Sequence, residues 1–149
     1  MSLLQIDRAQ LEPEVTLALY RAVVRWAAAR GTAFELTIEP GDYDDPRDVA
    51  GLQALVETAA AGAGGAIQVR GVPDERFVRA VIGSAAPARA RAGDECPVEV
   101  IIIHAGERAL YTCYDYGTVQ IVDIDEAERR DLERALQAAG LPAIGMFER

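Results

Sequence analysis

Residues 98–124 read VEVIIIHAGERALYTCYDYGTVQIVDI, and this stretch decides the fold class. Val98 to His104 is dense in β-branched residues and stops at Ala105-Gly106-Glu107-Arg108. Gly106 suits the first central position of a two-residue type II′ turn. A second run, Ala109 to Tyr114, closes at Asp115-Tyr116-Gly117, where Gly117 can take the left-handed backbone of a three-residue loop. Thr118 to Ile124 is the third run. The pattern predicts a three-stranded antiparallel meander.

In the register those turns imply, one face gathers Val100, Ile102, His104, Tyr111, Cys113 and Ile121. The other gathers Ile101, Ile103, Leu110, Tyr114, Val122 and Ile124. A sheet wetted on one face should alternate apolar with polar. Here both faces are largely apolar, so both need cover. A symmetric homodimer is the expected cover for Ile101, Ile103, Leu110, Tyr114 and Val122, because a twofold axis lets one patch bury itself.

Outward from the meander, helices and strands follow from apolar spacing. Leu11 to Arg30 places Val15, Leu19, Ala22, Val23 and Trp26 on one helical stripe, with Pro13 in its first turn and Gly31 at its end. Ala33 to Ile38 alternates as a strand, and Val49 to Ala61 reads as a second helix. Ala66 to Arg70 is a short strand, and Asp74 to Ala86 a helix with Phe77, Val78, Val81 and Ile82 inward. After the meander, Asp125 or Asp123 caps a last helix through Ala139, ended by Gly140 and Pro142. The tail from Ala143 carries Ile144, Met146 and Phe147 and is expected to dock on the domain. The expected fold is α/β or α+β, in the order α-β-α-β-α-β-β-β-α. Two helical crossovers would make the first three strands parallel, and the meander would complete a mixed five-stranded sheet.

Composition bounds the function. The chain of 149 residues is half apolar, which fits a single domain spanning residues 1–149. A net charge of -9 argues against a nucleic-acid partner, which needs clustered cations. Every basic side chain other than His104 is arginine, as in a high-GC, bacterial genome. No run is apolar and long enough to span a bilayer and no leader pattern is present, so a cytoplasmic protein is expected. Cys96 and Cys113 would lie about 13 Å apart at strand spacing, too far for a disulfide. They read as thiols in a reducing compartment, with Cys96, beside a loop, the more accessible.

The motifs that invite chemistry are weak. Asp42, Asp44, Asp45 and Asp48 crowd one loop and could bind a divalent cation, but Asp45-Pro46-Arg47-Asp48 is a helix start and the calcium-loop spacing is missing. Gly62-Ala63-Gly64-Gly65 leaves a helix for a strand, the reverse of a phosphate loop. In the expected topology Asp42, Asp44, Asp74, His104, Arg108 and Asp123 share the edge at the strand C-termini, where open sheets bind ligands. His104 with Asp42 and Asp74 would be the catalytic candidates, and Asp42, Asp44 and His104 the metal candidates. No cofactor is implied. Two functions follow: a small acidic, non-enzymatic module that pairs with itself or with a protein, or a small hydrolase-like or metal-binding enzyme near His104. A deep pocket beside His104 would favour the enzyme, and a flat apolar patch on the meander the module.

Overall fold

The computed structural model describes residues 1–6, 11–43, 58–61, 65–83, 96–141 and 146–148. The elements are β1 (Ser2–Ile6), α1 (Pro13–Arg30), β2 (Ala33–Ile38), β3 (Thr58–Ala61), β4 (Ile67–Gly71) and α2 (Glu75–Gly83). They continue with β5 (Val100–Ala105), β6 (Arg108–Tyr114), β7 (Val119–Ile124), α3 (Glu126–Ala138) and β8 (Met146–Glu148). Short 3-10 turns occupy Pro40–Asp42 and Asp115–Gly117.

One sheet runs through the molecule in the order β3-β4-β2-β5-β6-β7-β1-β8. Six strands of five residues or more form its body, and the short β3 and β8 lie at its two ends. Every neighbouring pair is antiparallel. The mixed, five-stranded sheet expected from the sequence is therefore corrected on both counts. Residues 58–61 extend beside β4 instead of ending a helix, and β2 lies antiparallel between β4 and β5. A crossover of the anticipated kind survives once: β4 and β5 point the same way, with α2 in the chain between them. The remainder of the anticipated helix from Val49, with Asp44, lies outside the described residues.

The meander itself forms as read. Gly106 has φ +64 and Ala105 pairs with Arg108 across the two-residue turn. Its register differs by one residue, because the pairing shifts between Ile103↔Tyr111 and His104↔Ala109 and leaves Leu110 as an extra residue of β6. Such a bulge carries adjacent residues onto one side of the sheet. Leu110 and Tyr111 are accordingly both buried, and Tyr111 and Cys113 join Ile101 and Ile103 instead of opposing them.

The three helices among the described residues pack on that one face. Phe77 of α2 stacks on Phe34 of β2 with ring centroids 4.3 Å apart. The buried Tyr20 hydroxyl of α1 donates to the Val81 carbonyl at 2.5 Å, tying α1 to α2. Leu132 and Leu136 of α3 are fully buried in the same core as Val122 and Ile124. Because α1 has the sheet beneath it and a helix on each flank, its buried stripe is broad, running through Leu19, Tyr20, Val23, Val24, Trp26 and Ala27. Ile101, Ile103, Leu110 and Val122, expected on a dimer surface, are thus 0 % exposed inside the chain's own core. Tyr114 alone of that set is exposed, on the opposite face.

Helix ends follow local chemistry. Asp125, not Asp123, caps α3 in a capping box: its carboxylate accepts from Glu128 N–H, and its own N–H donates to Glu128 Oε2. Gly31 ends α1 with an ordinary φ of -71, so a left-handed cap is not why glycine stands there. The reason is space: a Cβ at this position would lie 2.5 Å from Ile103 Cγ2. Among the described residues, no helix is long and apolar enough to cross a membrane.

Candidate functional site

Antiparallel pairing separates the residues that a parallel reading placed together. The C-terminal ends of β4, β5 and β7 share one edge of the sheet, so Asp74, His104, Arg108 and Asp123 lie toward that edge. Strand β2 points the other way and carries Asp42 to the opposite edge. Asp42 and His104 therefore lie at opposite edges of the sheet.

At the first edge His104 meets a carboxylate that sequence reading did not single out. Glu35 on β2 pairs directly with Arg70 on β4 and lies diagonally from His104 on β5. Glu35 Oε2 is 2.8 Å from His104 Nε2, and Glu35 Oε1 is 2.9 Å from Arg70 Nε. Both carboxylate oxygens are thus engaged. The His104 backbone carbonyl accepts Thr32 N–H at 2.7 Å, and Thr32 Oγ1 accepts Gly106 N–H at 3.0 Å, which anchors the β5–β6 hairpin against the end of α1. Opposite charges at directly paired strand positions are an ordinary stabilising device. That signal becomes readable once the β2–β4 register is known.

The neighbouring candidates have structural duties. Asp74 Oδ1 accepts the N–H of Phe77 at 3.0 Å, capping α2, and this bond holds its carboxyl below the usual range. Arg108 Nη1 donates to the Asp123 carbonyl at 2.8 Å, while its guanidinium grips Glu128. At the opposite edge the Tyr116 hydroxyl donates to Asp42 Oδ2. Burial, and then that carboxylate, raise the Tyr116 phenol far above its ordinary pKa. Glu99 stands close by, its pKa raised by burial and by the neighbouring carboxylates of Glu39, Asp42 and Asp115. Asp115 and Tyr116 both take left-handed backbone (φ 50 and 54) in the turn that closes β6.

Neither cysteine is exposed to solvent. Both are fully buried and no disulfide joins them, so Cys96 is not the accessible thiol expected of a residue beside a loop. Its N–H donates to the Tyr116 carbonyl, which draws this segment under the sheet edge.

Comparison with protein-family models, with curated proteins and with solved structures finds no match.

Geometry alone then decides what the edge can do. Glu35 could orient the His104 imidazole, as an acid orients a general base. Among the described residues, no group of three or more histidine, cysteine and carboxylate side chains is placed to hold a metal ion. The hollow beside Glu35 and Arg70 has a volume of about 100 Å³, well under the size of ordinary ligand sites.

The broader feature is the sheet face turned away from the three described helices. Its lateral rows follow from the register. Val100, Tyr114 and Val119 stand side by side in one row, and Ile102, Thr112 and Ile121 in the next. Val100, Ile102, Val119 and Ile121 are half-buried, and Tyr114 is 43 % exposed between two valines. Leu3, next along from Asp123, is 45 % exposed on the same side.

Proposed function

We propose that this chain is a non-enzymatic interaction module that pairs with a second copy of itself through the sheet face opposite its helices. The observation that carries the reading is the pair of lateral rows Val100–Tyr114–Val119 and Ile102–Thr112–Ile121, an apolar strip in a surface otherwise rich in charge. A twofold axis would let that strip bury itself, with Glu35, Arg70 and His104 at its polar rim. The reduced, buried thiols support a cytoplasmic setting, and the arginine-only composition supports a bacterial one. The His104–Glu35 contact supports the second reading, an enzyme at this edge, but the small hollow beside it favours the module.

Sedimentation at micromolar concentration tests the proposal. The expected species has twice the 16.0 kDa chain mass. Ile102→Asp should return it to a folded monomer. A wild-type chain that stays monomeric at high micromolar concentration would rule the pairing out.

A further inference from the structure

The helical side carries an electrostatic anomaly. In a chain of net charge -9, the groove between α1 and α3 is lined by four arginine residues, Arg21, Arg25, Arg30 and Arg134, and one acidic residue, Asp131. Asp131 is already committed. It accepts the indole N–H of Trp26 at 3.0 Å, and it pairs with Arg30 and with Arg134, the latter at 3.3 Å. Arg30 is further fixed by lying 4.6 Å over the Trp26 ring and by donating to the Trp26 carbonyl. Arg21 and Arg25 are exposed, one helical turn apart on α1, and neither forms an ion pair among the described residues.

Two like charges at i and i+4 repel and slightly destabilise a helix. On its other side Arg25 borders a second hollow with Asp74 and Glu75, whereas toward α3 the arginines meet small alanines and the committed Asp131. The groove holds about 680 Å³, within the range of small-molecule sites, and its floor includes Ala22 and Ala135. Guanidinium forks match phosphate oxygens in geometry and charge, and several converging forks suit a dianion better than a single carboxylate.

We infer that the α1–α3 groove is a binding site for a small organic phosphate, its anion held by Arg21 and Arg25 and its apolar part lying on the alanine floor. This site is separate from the sheet face and does not depend on self-association. Arg30 and Arg134, held by Asp131, supply a fixed positive wall instead of closing on the ligand.

Trp26, the one tryptophan of the chain, lies in the groove wall and serves as the reporter. Its fluorescence should change saturably when hexyl phosphate is titrated into the full chain at low salt. Inorganic phosphate should bind more weakly, because it gains nothing from the floor. The exposed-site double variant Arg21→Ala/Arg25→Ala should weaken hexyl phosphate binding by about tenfold or more, the loss of at least one charge-assisted contact. Arg76→Ala, on α2 and outside the groove, should leave the affinity unchanged. The inference fails if no saturable change occurs at millimolar ester, or if the double variant binds as well as wild type. It also fails if inorganic phosphate binds as tightly as the ester. Tighter binding of a tetraglutamate peptide than of the ester would overturn the ligand class in favour of an acidic protein partner.

Discussion

Arg108 at the start of β6 and Glu128 in the first turn of α3 form a two-pronged ion pair, with Nη2–Oε1 at 2.6 Å and Nη1–Oε2 at 2.8 Å. The same guanidinium holds the C-terminal end of β7 through the Asp123 carbonyl, and the same carboxylate closes the Asp125 capping box. One side-chain pair thus fastens two strands of the meander to the helix that covers them.

Both side chains are only 23 % exposed, so solvent screens the pair less than an open surface bridge. Glu128→Ala removes the ion pair and half of the capping box, and should cost about 1–3 kcal/mol. For a chain of this size that is about 2–4 °C in melting temperature per kcal/mol. The Arg108 contact holds the Glu128 carboxyl below its ordinary range. A depressed folded-state pKa contributes stability above the unfolded value, and that contribution is lost as pH falls through the folded value. The melting-temperature gap between wild type and Glu128→Gln should therefore be full at pH 7, narrow as pH falls below the ordinary carboxyl range, and vanish once the folded-state Glu128 is protonated. A gap that persists unchanged at acid pH would assign it to packing instead of charge.

Glu99 carries the opposite sign. Burial and the carboxylates around it raise its pKa in the folded chain, so the folded state binds the proton more tightly than the unfolded state does. Stability then falls as pH rises through the interval between the ordinary and the raised value. Glu99→Gln should melt higher than wild type at pH 7, with the advantage vanishing once wild-type Glu99 is protonated. Equal melting curves at pH 7 would show that the carboxylate is relieved by solvent.

Gly31→Ala discriminates conformation from space. At a backbone of φ -71 the change should stabilise by about 0.4–1 kcal/mol if only unfolded-state entropy mattered. The close approach of Ile103 Cγ2 predicts the reverse, a loss of about 1–3 kcal/mol from overpacking. Chemical denaturation of the two proteins gives the sign directly.

Ile102→Asp and Ile103→Asp are neighbours in sequence with opposite fates. Ile103 is fully buried under the helices, so a charge there should unfold the chain. Ile102 lies half-buried on the other face, and its variant should remain folded by circular dichroism. If Ile103→Asp were the one to stay folded, the assignment of the two sheet faces would be inverted.

Cys96 and Cys113 are both 0 % exposed, so a thiol reagent should label both slowly in the native state and rapidly after denaturation. Fast native labelling of Cys96 alone would mean that its segment opens without global unfolding.

Local sequence determined the elements whose signals are local. The Gly106-Glu107 turn, the alternation of Phe34, Leu36 and Ile38, the Asp125 cap and the stripe of α1 all depend on residues within a few positions of each other. The sequence also carried the rule that the meander is apolar on two sides. Which side the helices cover was not legible, because one extra residue at Leu110 reverses the alternation and nothing in its neighbours marks a bulge. Residues 58–61, Thr-Ala-Ala-Ala, read as the end of a helix because they continue the apolar spacing from Val49, yet they pair with β4 as a strand. The contact between His104 and Glu35, the Tyr116–Asp42 pair and the arginine groove join residues far apart in the chain. Only the antiparallel order of the sheet and the docking of α1 beside α3 bring them together, because strand direction and helix placement minimise the free energy of the whole core and not of any one segment.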